Sequence, residues 1–157
     1  MNLSQKEKFL LEDQKSHEEA CVQKYQDYAN QAQDPQLKQL FGSYATQEQQ
    51  HLDTINQILG GQVPSMNQQS NQQGQNQPKF QNMQNNTQGT MYNPNDAKLC
   101  KDVLMAEKYV SSTYNTAIFE CRDTNIRQVL NHIQKEEQEH GEGVFNYMLS
   151  KGMYQIQ

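Results

Sequence analysis

Glu48-Gln49-Gln50-His51 and Glu137-Gln138-Glu139-His140 are two copies of one metal-binding step, Glu-x-x-His, set 89 residues apart. Thirty positions before each copy stands another glutamate: Glu18 before Glu48, and Glu107 before Glu137. One Glu on each of two helices, plus one Glu-x-x-His on each of two others, is the ligand set of a dinuclear carboxylate site in a four-helix bundle. The spacing therefore predicts an all-α chain of two helical hairpins that close around two metal ions. The expected ligands are Glu18, Glu48, His51, Glu107, Glu137 and His140.

The same offset relates residues beyond the ligands. Tyr25 and Tyr114 each lie seven positions after the upstream glutamate, and Asp34 and Asp123 sixteen after it. Asp34-Pro35 and Asp123-Thr124 read as helix starts, because an Asp side chain accepts from the free N–H groups of a first turn. Leu37, Leu40 and Phe41 then match Ile126, Val129 and Leu130. Shared caps, core positions and ligands at one offset describe an internally duplicated hairpin. Tyr25 and Tyr114 are candidates to donate hydrogen bonds to ligating carboxylates.

Position separates these glutamates from ordinary solvated ones. In the second helix the apolar stripe Leu37, Phe41, Tyr44 resumes at Ile55 and Leu59, and Glu48 and His51 fill the gap. In the fourth, Ile126, Leu130 and Ile133 resume at Val144 and Met148, and Glu137 and His140 fill it. Glu107 interrupts the stripe between Val103 and Val110, and Glu18 precedes Cys21 and Tyr25. Carboxylates buried without compensation are costly, and two divalent cations supply that compensation. A carboxylate-rich site supplemented by imidazole suits iron or manganese. Symmetry with Glu107 selects Glu18 over its neighbour Glu19. His17 and His132 lie beside the stripes and read as non-ligands. Glu136, Glu139 and Glu142 read as a solvated face.

The chain has 157 residues, a formal net charge of -5 and an apolar fraction of 34%. The acidic balance argues against nonspecific nucleic-acid binding and against an anionic membrane as partner. No apolar run reaches the length of a membrane span, and the polar start of the chain lacks a signal-peptide core. Intracellular synthesis is the expectation. Cys21, Cys100 and Cys121 include no Cys-x-x-Cys pair and read as small buried apolar thiols.

Period-3.6 stripes predict helices from about 4 to 33, 35 to 59, from near Asp96, and from near Thr124 to Gly152. Hairpin 1 covers about 4–59 and hairpin 2 about 96–152, within one domain spanning 4–152. Between them, residues 62–95 are rich in Gln and Asn, with Pro64, Pro78 and Pro94 and almost no aliphatic residues. Such a composition cannot build a core and reads as a flexible crossover, long enough to run the length of a bundle.

With Glu18, Glu48-x-x-His51, Glu107 and Glu137-x-x-His140, the chain resembles the ferritin-like superfamily of rubrerythrins, bacterioferritins and manganese catalases. Two tight hairpins and one long crossover are the connectivity of that superfamily. Val110 stands where rubrerythrins carry a further Glu, and the paired Cys-x-x-Cys motifs of their rubredoxin-like module are absent. A closer resemblance is to the spore coat protein F family of endospore-forming Firmicutes. Those chains are short, often Gln/Asn-rich, and tend to end in an aromatic tail after Lys-Gly, similar to Lys151-Gly152-Met153-Tyr154 here. The resemblance implies sporulation, a structural or protective role in the spore coat, and other coat proteins as partners; a homodimer is one candidate for self-association. The alternative it implies is a di-iron or di-manganese oxidoreductase acting on peroxide or dioxygen.

The crossover reading carries a test. Loop-closure cost changes slowly with length, so removing about ten central residues of 62–95 should leave the helical signal and melting temperature nearly unchanged. Collapse of the fold would mean that this segment packs specifically.

Overall fold

A computed structural model describes residues 2–64 and 92–157. It contains four helices: α1 (Gln5–Gln31), α2 (Pro35–Leu59), α3 (Pro94–Glu120) and α4 (Thr124–Ser150). Among the described residues there is no strand, and no helix is long and apolar enough to cross a membrane. The expected all-α four-helix bundle is the architecture found. Most of the expected crossover, residues 65–91, lies outside the described residues.

Local chemistry sets each boundary. Ser4 and Glu7 form a capping box at the start of α1. Asp34 accepts from the Gln36 amide at 2.8 Å, and Asp123 from the Asn125 amide at 2.8 Å, as their sequence positions predict. The start of α3 differs from expectation. Asn93 caps it, accepting from Asn95 and Asp96, and Pro94 takes the first turn, so the helix begins two residues before Asp96. At the other end α1 stops at Gln31, and Ala32 is its C-cap. Gly61 and Gly152 take positive φ, 86° and 71°. Each lets the next amide reach back to a carbonyl five residues earlier, Gln62 to Gln57 and Met153 to Met148, which closes α2 and α4.

Two acids fix how the hairpins meet. Asp96, buried at the start of α3, accepts from the backbone amides of Gln33 at 2.8 Å and Asp34 at 2.9 Å in the α1–α2 turn. Glu7, buried at the start of α1, accepts from the Arg122 amide at 2.8 Å in the α3–α4 turn and from its guanidinium at 3.0 Å. These acids are themselves related by the 89-residue offset. Each hairpin thus begins with a carboxylate that holds the other's turn. The start of α3 lies beside the end of α1, so the two helices run antiparallel. The end of α2 and the start of α3 consequently lie at opposite ends of a bundle about 40 Å long. Asp34 closes its end further, accepting from Tyr147 and pairing with Lys151, both at 2.9 Å.

Between these ends the core divides into two apolar clusters. One contains Tyr25, Leu37, Phe41, Tyr44, Val103, Val144 and Met148. The other contains Leu11, Ile55, Val110, Tyr114, Leu130 and Ile133. The predicted stripes lie in these clusters, with Tyr28, Leu59 and Ile118 only partly buried at their margins. All three cysteines are free and buried.

Asp96→Ala would leave the Gln33 and Asp34 amides without their acceptor. The expected loss is about 1–3 kcal/mol, since a buried donor left unsatisfied forfeits its solvation. It should be read as a lower urea midpoint at unchanged slope. A midpoint equal to that of the parent would mean that water serves those amides equally well.

Candidate metal centre

Between the two apolar clusters lies a polar layer. The repeated stripe gaps place Glu18 on α1, Glu48 and His51 on α2, Glu107 on α3, and Glu137 and His140 on α4, all turned inward. None is more than 5% exposed. They form two overlapping groups, Glu18–Glu48–His51–Glu137 and Glu107–Glu48–Glu137–His140, each with one ligand atom per residue within 4.8 Å of the others. Glu48 and Glu137 belong to both. Glu19 is exposed and faces Lys15, so the structure brings Glu18 and not Glu19 to the cluster. His17 packs edge-on against Tyr109, away from the cluster.

The imidazoles enter with the same nitrogen. His51 Nδ1 lies 3.2 Å from Glu137, 3.4 Å from Glu48 and 3.6 Å from Glu18. His140 Nδ1 lies 3.0 Å from Glu48 and 3.6 Å from both Glu107 and Glu137. The tyrosines cross between hairpins: Tyr25 of α1 donates to Glu107, and Tyr114 of α3 donates to Glu18. Neither hairpin alone can assemble this arrangement. Tyr44 lies over His140, with ring centroids 4.3 Å apart. Gly143 makes room for it, because a Cβ there would collide with the Tyr44 hydroxyl.

Behind the imidazoles stand two residues that the sequence reading passed over. His51 Nε2–H donates to Glu136 at 2.8 Å, and His140 Nε2–H to Gln47 at 2.9 Å. Glu136 was expected on a solvated face; it is buried at 6% exposure. Glu139 and Glu142 do remain at least partly solvated. The signal for Glu136 was present: it immediately precedes Glu137, as Gln47 precedes Glu48, at the same 89-residue offset. Glu136 escaped because a charged residue next to a ligand on a helix ordinarily points to water.

The layer distributes its charge unevenly. Burial, with repulsion from Glu137 and Glu48, raises Glu18 well above the usual carboxylate range. Burial and repulsion from Glu137 do the same to Glu107. Glu48 and Glu137 are instead held low: burial opposes ionisation, but hydrogen bonds from both imidazoles outweigh it. Burial likewise opposes charging of His51 and His140, yet their surrounding carboxylates raise both well above their usual value. The charged form of both imidazoles is thus favoured beside Glu48 and Glu137, and the protonated form is favoured at Glu18 and Glu107. Protonation of Glu18 and Glu107 and charging of His51 and His140 are a second way to compensate the core carboxylates, beside the divalent cations expected from the sequence.

The residues nevertheless fit a metal pair. Glu18, Glu48, Glu107 and Glu137 each have one buried oxygen, Oε2, that accepts no hydrogen bond. Orphaned buried carboxylate oxygens are costly, and four in one cluster with two imidazoles form a donor set for iron or manganese. Two such ions would replace four protons without changing the net charge of the layer. A groove of about 730 Å³ between α3 and α4 reaches Glu107 and Glu137 from the surface, passing Phe145 and Tyr154.

A bundle with an acid- and histidine-lined core defines the structural class. Residues 95–157, almost all of α3 and α4 through to the end of the chain, match the Coat F domain. That match supports the spore coat protein F family, as the Lys151-Gly152 tail suggested, and with it a spore coat protein among coat protein partners. No curated protein and no solved structure matches the chain.

The charge pattern sets a pH dependence for metal-free protein. His51, His140, Glu18 and Glu107 have raised folded values, so their contribution is complete below the unfolded values and is lost as pH rises through the folded ones. Glu48, Glu137 and Glu136 are depressed, so their contribution is present above the ordinary 4.5 and is lost as pH falls through the folded values. In chelator, the melting temperature should fall as pH rises above the ordinary imidazole value of 6.5, and fall again as pH drops below the ordinary carboxylate value of 4.5. A flat or rising profile on the alkaline side would contradict the protonated layer.

Proposed function

We propose that this chain is a spore coat protein whose ferritin-like domain, residues 4–152, holds a dinuclear iron or manganese centre. The centre has a structural or protective role in the coat. The four orphaned Oε2 atoms, meeting in one layer with two imidazoles, carry this reading. Glu18, Glu48, His51 and Glu137 would hold one ion, and Glu107, Glu48, Glu137 and His140 the other, with Glu48 and Glu137 belonging to both groups. Bound metal supplies the positive charge that otherwise comes from protons. Tyr25 and Tyr114 hold the terminal carboxylates in place across the hairpin boundary. The partners are other coat proteins and a second copy of this chain.

A second reading is an oxidoreductase acting on peroxide or dioxygen. The α3–α4 groove favours it, because it gives a small molecule a route to Glu107 and Glu137. Metal content together with peroxide consumption by the purified protein separates the two readings.

Metal that binds the native state alone stabilises it in proportion to the logarithm of free metal over its dissociation constant. Chelation should therefore lower the melting temperature near neutral pH, and ferrous iron or manganese should restore it. Replacing Glu48 and Glu137 together with Gln should abolish the response. It should also destabilise the metal-free protein, because His51 and His140 lose the ionised carboxylates at their inner nitrogens, with Glu136 remaining beside His51. Protein purified without added metal that contains none, and whose melting is indifferent to iron and manganese, would refute the metal centre.

A further inference from the structure

Every ligand has a repeat partner of its own type: Glu18 and Glu107, Glu48 and Glu137, His51 and His140. The groups behind the imidazoles break that symmetry. His51 donates to a carboxylate, Glu136, and His140 to an uncharged amide, Gln47. The surroundings differ in the same sense. Glu18 is fully buried, whereas Glu107 is 5% exposed. The α3–α4 groove reaches Glu107 and Glu137 and touches neither Glu18 nor His51. Tyr44 covers His140; its repeat partner on the other side is aliphatic, Ile133. On its other side, the second oxygen of Glu136 lies 3.4 Å from His132 Nε2.

An imidazole that donates its outer N–H to a carboxylate is a stronger donor at its inner nitrogen than one bonded to an amide. Glu136 also brings negative charge close to the His51 end, in a medium that screens poorly. We propose that the two halves of the centre are inequivalent: the Glu18–His51 half takes the first ion and holds it, and the Glu107–His140 half binds the second more weakly and exchanges it through the α3–α4 groove. Glu136 and Gln47 are the positioning residues that set the difference. This inference rests on the metal reading above.

Metal-free full-length protein titrated with Mn(II) under anaerobic conditions tests it, by calorimetry and by electron paramagnetic resonance. Two binding steps are expected, separated by more than the statistical ratio for identical sites. At one equivalent the spectrum should be that of isolated Mn(II), and a spin-coupled spectrum should grow only with the second. Chelator added to loaded protein should remove one ion well before the other. Glu136→Gln should weaken the first step by about 10-fold or more and bring the two together. Gln47→Glu should strengthen the second step, and it tests the idea separately if Glu136→Gln folds poorly. Two ions bound with identical affinity, or with the coupled spectrum from the outset, would overturn the inequivalence and leave the metal centre standing. Absence of Mn(II) and Fe(II) binding would remove the centre itself. A Gln47→Glu variant with an unchanged second step would overturn the role given to the outer groups.

Discussion

Six ionisable side chains sealed between two apolar clusters must balance one another's charge, and the organisation of the bundle follows from that constraint. Each buried charge left alone would cost several kcal/mol. Glu48 and Glu137 can remain ionised because both imidazoles face them. Glu18 and Glu107, farther from the imidazoles, are shifted toward the protonated form and receive a tyrosine hydroxyl instead. Among Glu18, Glu48, Glu107, Glu137, His51 and His140, four protons or two divalent cations would bring the same charge.

The same constraint makes the two hairpins mutually dependent. Tyr25 serves the carboxylate of α3, and Tyr114 that of α1. At the ends of the bundle Glu7 and Asp96 repeat the exchange, each holding the turn of the other hairpin. These contacts fix axial register, which two smooth apolar stripes would leave free to slide. Register in turn brings Glu48 and Glu137 to the same level, where each can face both histidines.

The duplication is also where the molecule departs from symmetry. Gln47 and Glu136 occupy equivalent positions with different charge, and one half of the layer adjoins a groove while the other is closed. A coat protein that uses its centre only as a rivet has no need of that opening. The groove is the feature that keeps chemistry on a small molecule in view beside a structural role.

The sequence by itself determined the helices, the caps at Asp34 and Asp123, the two-hairpin plan, and the six acid and histidine side chains that turn inward. Those features follow from short-range rules: a 3.6-residue period, a side chain capping its own helix, and polar residues interrupting an apolar stripe. Only the tertiary structure decided which residue stands behind each imidazole, which acid holds which turn, and how protons divide among the carboxylates. Glu136 looks like any solvated neighbour of a ligand until α2 lies against α4 and His51 reaches it. Asp96 looks like an ordinary first-turn acid until the α1–α2 turn arrives beside it. Charge distribution depends on distances across helices and on exclusion of water, and neither is written in the spacing along one chain.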